Sequence, residues 1–255
     1  MFTGIVERSV RVASVSDGTG FRRLNLAVDW PDVKLGESVA VNGVCLTVAE
    51  VPEAGLLAFD VVPETLTKTN LGLVGPGDLA HVERSVRVGG RIDGHFVQGH
   101  VDGRALLLEH VTTTDGEWRM RVEAPEDLAR YIVPKGSACL DGVSLTVASV
   151  NGNVFEVALI PTTLRITTFQ RRERGWPLNF EADVVTKTIV SWLERRADCG
   201  DTDAPATTRS GTGVASPGPR ANIREQLAAT FAAMAAAGAS GSGAQDDDDE
   251  EQNGR

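Results

Sequence analysis

Around residues 38–48, apolar residues alternate with small or polar ones on either side of an Asn42-Gly43 step. A period of two marks a strand with one buried face. Asn-Gly between two such runs predicts a two-residue hairpin turn with positive φ at both residues. The same arrangement returns around Asp141-Gly142. Residues 57–62, 79–88, 118–122 and 154–160 read as further strands, separated by turn residues. Short, evenly punctuated strands predict small all-β barrels rather than strand–helix–strand units. Helical patterning is sparse. Residues 124–128 place Pro125 and two acids where a short helix starts. The strongest helical stretch is 181–196, where Val185, Ile189, Trp192 and Arg196 recur at helical spacing and two arginines close the last turn. Such a helix either docks on its own barrel or assembles with copies of itself.

The pattern is duplicated. Asn42-Gly43-Val44-Cys45-Leu46-Thr47-Val48-Ala49 recurs as Asp141-Gly142-Val143-Ser144-Leu145-Thr146-Val147-Ala148. Val62-Pro63-Glu64-Thr65-Leu66 recurs as Ile160-Pro161-Thr162-Thr163-Leu164, and Phe2-Thr3-Gly4-Ile5-Val6 aligns with Val97-Gln98-Gly99-His100-Val101. The blocks keep their order, and a solenoid has shorter and more numerous units, so the chain reads as two tandem domains. The expected domains are residues 1–95 and 96–196, the latter carrying the helix. Residues 197–255 form a separate low-complexity tail, with an Ala-rich stretch and the acidic run 246–251. That composition cannot bury enough apolar surface to offset its ordering entropy, so the tail is expected to be disordered.

Charge narrows the function classes. The net charge is −10, and no basic stripe exists to grip a phosphate backbone, so nucleic acid is not an expected partner. The three cysteines, Cys45, Cys139 and Cys199, suggest no disulfide framework. No long apolar run or signal-like start is visible, so no membrane partner is expected and the cytoplasm is the default compartment. Phosphate-binding glycine loops, a GxSxG elbow and CxxC pairs are absent. His95 and His100, five apart, would face opposite sides of a strand, so no metal is expected.

Several blocks together resemble riboflavin synthases. They are residues 1–7 (Met-Phe-Thr-Gly-Ile-Val-Glu), 41–48, Pro63 to Leu66, 94–103 (Gly-His-Phe-Val-Gln-Gly-His-Val-Asp-Gly), Lys135-Gly136-Ser137 and 141–147. The resemblance covers about residues 1–196 and leaves the tail outside. It implies two six-stranded Greek-key barrels with a C-terminal helix, and a homotrimer assembled around that helix. Each barrel is then expected to bind one 6,7-dimethyl-8-ribityllumazine, with an active site between the N-terminal barrel of one subunit and the C-terminal barrel of another. The implied reaction is the last step of riboflavin biosynthesis. Two lumazines dismutate to riboflavin and 5-amino-6-(D-ribitylamino)uracil by transfer of a four-carbon unit, without cofactor. The rival is a non-catalytic lumazine- or flavin-binding protein of the same fold.

A reaction between two like molecules suits two like pockets, provided these differ where they touch the reacting atoms. Aligned positions do differ: Cys45 against Ser144, Asn42 against Asp141, Ile5 against His100, Glu64 against Thr162. The candidate catalytic residues are His100 as proton carrier, Ser144 and Asp141 to orient a water or polarise that histidine, and Cys45 as nucleophile or proton donor. Phe2 is counted in the same catalytic set, as a lid over the ring, with core packing as the alternative. Lys135 is expected to pair with ribityl or pyrimidine oxygens. Backbone groups of Cys45, Leu46 and Thr47, and of Ser144, Leu145 and Thr146, are expected to read the pyrimidine edge. They are joined by Val61, Val62, Pro63, Glu64, Thr65 and Leu66, and by Leu159, Ile160, Pro161, Thr162, Thr163 and Leu164. Gly4 and Gly99 would admit the ring closely, flanked by Ile5 and Val6 and by His100 and Val101.

Overall fold

A computed structural model describes residues 1–198. The first repeat contributes β1 (Arg8–Gly18), β2 (Phe21–Ala27), β3 (Ser38–Val41), β4 (Val44–Glu53), β5 (Leu56–Val61) and β6 (Leu79–Arg84). The second contributes β7 (Gly103–Thr112), β8 (Trp118–Glu123), β9 (Ser137–Leu140), β10 (Val143–Asn151), β11 (Val154–Leu159) and β12 (Pro177–Ala182). Each set closes into a six-stranded antiparallel barrel, in the order β1-β2-β5-β4-β3-β6 and its counterpart β7-β8-β11-β10-β9-β12. Both barrels and the start of the C-terminal helix lie in one compact unit, Met1–Trp192.

Alternation fills the barrels as the sequence pattern requires. Along β4, Val44, Leu46 and Val48 are buried while Thr47 is exposed; Val143, Leu145, Val147 and Thr146 repeat this on β10. Register shifts fall at matching places, between Val12 and Ser14 and between Leu107 and Glu109, then between Val48 and Glu50 and between Val147 and Ser149. Bulges sharpen strand coiling, which lets a small sheet close on itself. The hairpin turns take the expected form: φ is 45° at Asn42 and 75° at Gly43, then 44° at Asp141 and 82° at Gly142.

The helices differ from expectation in three places. Two short helices, α1 (Pro63–Lys68) and α2 (Pro161–Ile166), follow β5 and β11, so Pro63 to Leu66 and Pro161 to Leu164 form no strand edge. Proline at the first helical position fixes the entry φ and lacks only an N–H that would be unpaired anyway. The C-terminal helix α3 runs Val184–Asp198, because Glu181 and Ala182 still belong to β12. Residues 126–128 form a turn leading into a 3-10 helix at Ala129–Tyr131, not an α-helix. Residues 199–255 of the expected tail lie outside the described residues.

Each barrel has its own core, but the chain crosses between them. Val6 packs in the core of the second barrel, and its repeat partner Val101 packs against the core of the first. Between the barrels lies a third cluster, built from two aligned pairs: Phe2 with Val97, and Ala40 with Cys139. Phe2 and Val97 also exchange backbone hydrogen bonds at 2.7 and 3.1 Å. Asn42-Gly43 stacks on Asp141-Gly142 so tightly that a Cβ on Gly43 would meet the Gly142 nitrogen at 2.5 Å. Aligned residues thus meet one another, and the repeats are related by an approximate two-fold axis through these pairs.

Candidate functional site

The expected residues fall into two crossed groups. The N-terminal segment of the first repeat lies on the second barrel, where the Gly4 carbonyl accepts the Ser144 N–H at 2.7 Å. The equivalent segment of the second repeat lies on the first barrel, where the Gly99 carbonyl accepts the Cys45 N–H at 2.9 Å. Both glycines take positive φ, 75° and 78°. A Cβ on either would fall 2.6 Å from the Cβ of Ser144 or Cys45. One surface therefore gathers Gly4, Ile5 and Val6 with Ser144, Leu145 and Thr146. The other gathers Gly99, His100 and Val101 with Cys45, Leu46 and Thr47.

Within these groups, side chains divide by face. Ile5, Thr47, His100 and Thr146 are exposed, and Cys45 and Ser144 are half-buried. Leu46, Leu145, Val61 and Leu159 point into their barrels, so their side chains serve packing and only their backbones face outward. Val62 and Ile160 are exposed where their strands end, followed by exposed Pro63, Glu64, Pro161 and Thr162. Glu64 is tied to Lys68 at 2.8 Å, which holds its carboxyl below the usual range, and Thr162 accepts from Arg165 at 2.9 Å. Thr65 and Thr163 accept helix-end hydrogen bonds through their carbonyls, while Leu66 and Leu164 pack on their barrels. Lys135 is exposed with φ at 65°, a conformation its repeat partner Gly36 adopts at 84°. A lysine held where glycine is favoured carries a backbone cost of about 1 kcal/mol or more.

Three assignments change. The histidine bound to Ser144 is His95, whose Nδ1 lies 2.7 Å from Oγ; His100 belongs to the Cys45 surface instead. His95 is 8 % exposed, and burial, partly opposed by Asp183, lowers its pKa and so favours the neutral ring. Its Nε2 is buried without a protein partner. Periodicity could not find this pair, because residues 94–102 form no strand and the imidazole reaches its place through the crossing. The signal the sequence offered was the 94–103 block, which contains His95; in the fold, a Cβ on Gly94 would lie 2.1 Å from the Thr3 carbonyl and 2.9 Å from the Ser144 Cβ.

Asp141 is the second correction. It is fully buried on the two-fold axis, where Oδ1 accepts from the Asn179 N–H at 2.7 Å and from Asn70 at 2.8 Å. Its partners there are Asn70 and Asn179, not His100, and burial raises its pKa to about 7. The third is Phe2, fully buried between the barrels: of its two expected places it takes the core, and the catalytic lid is removed. Elsewhere, a cavity of about 770 Å³ opens beside the first barrel and reaches Ile5, but its lining includes neither Cys45 nor Ser144. Among the described residues, no group of three or more His, Cys, Asp or Glu is placed to hold a metal, and no helix is long and apolar enough to cross a membrane.

The family model of the lumazine binding domain matches residues 3–85 and again 98–183. Riboflavin synthase of Mycobacterium tuberculosis (strain ATCC 25618 / H37Rv) is 41 % identical over 194 residues, covering 74 % of this chain and 96 % of that protein. The chain belongs to the riboflavin synthase family. The riboflavin synthase of Escherichia coli K12 is 36 % identical over 200 residues, covering 76 % of this chain and 92 % of its own. Among solved structures, LumP complexed with 6,7-dimethyl-8-(1'-D-ribityl) lumazine superposes with a TM-score of 0.62 at 20 % identity, over 71 % of this chain and 99 % of that one. LumP complexed with riboflavin gives 0.63 at 22 % identity, with the same coverage. At this identity the likeness to LumP is one of fold. The two matched segments of this riboflavin synthase family member coincide with the two barrels.

Proposed function

We propose that this chain performs the riboflavin synthase reaction on two crossed lumazine surfaces, one per barrel, and that Ser144 with His95 is the proton-handling pair. The observation that carries this reading is the 2.7 Å contact between a half-buried hydroxyl and a buried imidazole, whose burial favours its neutral form. In that arrangement the imidazole can take the hydroxyl proton as Oγ, or a water held by it, adds to a lumazine ring. The equivalent position on the other barrel carries the Cys45 thiol, which has no histidine contact like that of Ser144 among the described residues. The two surfaces are therefore chemically unequal, as a donor and an acceptor of a four-carbon unit must be.

Binding is assigned to the exposed groups around each pair. Thr47 and Thr146 stand two residues beyond Cys45 and Ser144 on the same outer face, while Ile5 and His100 flank them from the crossing segments. Lys135, held at its glycine-like φ, is assigned to ribityl or pyrimidine oxygens. Holding two flat rings in register contributes most, since orientation alone is worth roughly 7–11 kcal/mol in favourable cases. Each surface is open on one chain, which favours an assembly in which subunits face each other. The exposed Val185, Ile189 and Trp192 on α3 supply an apolar stripe for a homotrimer.

Purified protein given 6,7-dimethyl-8-ribityllumazine should produce riboflavin without added cofactor, followed by absorbance. Binding without a new product would favour the non-catalytic rival. Ser144→Ala and His95→Ala should each lower kcat about 10²-fold or more with a smaller change in ligand affinity. Equal losses in both would remove the catalytic assignment.

A further inference from the structure

We infer that the buried carboxylates Glu83 and Glu181 are positioning residues acting across the two-fold axis: Glu83, in the first barrel, sets the ligand surface of the second barrel, and Glu181 sets that of the first. This rests on the two-surface reading above and adds the groups that hold each surface in place. Glu83 lies near the end of β6 at 5 % exposure, and its aligned partner Glu181 sits in β12 at 2 %. A carboxylate so buried needs strong donors. Glu83 accepts the Thr3 N–H at 2.7 Å, the Thr3 hydroxyl at 2.8 Å and the Gly4 N–H at 3.1 Å. Glu181 accepts the Gln98 N–H at 2.7 Å and the Gly99 N–H at 2.9 Å.

Gly4 and Gly99 are the links. Each gives its N–H to a carboxylate of one barrel and takes, through its carbonyl, the N–H of Ser144 or Cys45 on the other. With no room for a Cβ, neither can shift without disturbing both ends. Glu83 reaches further still, because the Thr3 it binds accepts the His95 N–H at 3.1 Å. One carboxylate thus fixes the backbones of both Ser144 and His95 from the opposite barrel. Two parallel N–H donors require an acceptor at both oxygens. Glutamine, of equal size, would turn an NH₂ toward one of them.

The test uses a thiol on each surface. In a Cys199→Ser background, Cys45 reports the first barrel; Cys45→Ser with Ser144→Cys moves the thiol to the equivalent place on the second. Protection from alkylation by riboflavin then gives the affinity of each surface separately. Glu83→Gln should raise the riboflavin concentration needed to protect residue 144 by about tenfold or more, leaving residue 45 near its starting value. Glu181→Gln should do the reverse. Thr3→Val, which removes one donor to Glu83, should show the residue-144 loss in weaker form, and keeps the test open if a Gln variant does not fold. Losses on the variant's own barrel, or equal losses on both, would overturn the inference as a general structural effect. If riboflavin protects neither thiol in the Glu-containing protein, the surface assignment itself falls, and this inference with it.

Discussion

Asp141 and His81 face the two-fold axis with equivalents that are chemically different, Asn42 and Asn179. The bonding nevertheless repeats. The His81 N–H donates to Asn42 Oδ1 at 2.8 Å, as the Asn179 N–H does to Asp141 at 2.7 Å. Asn179 Nδ2 donates to the Asn42 carbonyl at 2.8 Å, as His81 Nδ1 does to that of Asp141, and Oδ1 of Asn179 and Nε2 of His81 accept the N–H of Asn70 and Thr168. Accepting at Nε2 fixes His81 as the neutral Nδ1–H tautomer, and burial lowers its pKa to about 4. Between that value and the ordinary 6.5, the unfolded chain carries a proton the folded one lacks, so stability falls as pH drops through this window. Asp141 has the opposite slope. Between the ordinary 3.8 and about 7, the folded chain holds a proton the unfolded one has lost, so stability falls as pH rises. Asp141→Asn abolishes that loss, so its stability relative to the parent should climb from about pH 4.5 to about pH 7.5, by an amount on the order of 3 kcal/mol, and its melting temperature should rise relative to the parent's over the same range. His81→Asn, which copies the residue at Asn179, should flatten the acid side, at some cost from the lost edge contact with Phe169. Thermal melts across this range check both; pH-independent differences would remove the titrations assigned here.

The crossing segments are the elements on which site and stability depend together. Gly99→Ala would place a Cβ 2.6 Å from that of Cys45 and 2.8 Å from its nitrogen, at a φ of 78°. Strain and overpacking together should cost about 2–4 kcal/mol, and Gly4→Ala should match it against Ser144. Gly20→Ala has nearly the same φ, 84°, but no atom within 4 Å, so it should cost about 1 kcal/mol. Denaturant titration separates these cases, since equal losses at Gly20 and Gly99 would mean that the contact with Cys45 carries no weight. The short helices α1 and α2 end the strands beneath these segments, placing Val62 and Ile160 at the rims while Leu66 and Leu164 anchor the turns.

Over the whole molecule, duplication yields two barrels whose N-terminal segments are exchanged, so neither of the two proposed ligand surfaces belongs to one repeat. α3 leaves the second barrel with Lys187 bound to Asp102 at 2.9 Å and with Val185 and Ile189 half-exposed. If the proposed homotrimer is built on α3, changing both apolar residues to Lys should yield single chains in sedimentation, and turnover should fall with it, because the proposed surfaces would no longer face a neighbour. Unchanged mass would remove α3 from the interface.

Local pattern determined strands β3 to β6 and β8 to β11, the two φ-positive turns and the duplication, because period-two burial and Asn-Gly or Asp-Gly chemistry act over a few residues, whereas β1, β2, β7 and β12 were not read from it. Family motifs in the sequence pointed to Ser144, Cys45 and Gly99, and the fold put Ser144 and Cys45 each beside a crossing segment, Gly99 lying on the one that meets Cys45. Which histidine meets Ser144, where Asp141 and Phe2 lie, and which repeat serves which surface were decided by the exchange of segments across the two-fold axis. That exchange depends on contacts between residues some 80 to 140 positions apart, such as Thr3 with Glu83 and Gly4 with Ser144, which no window of sequence contains.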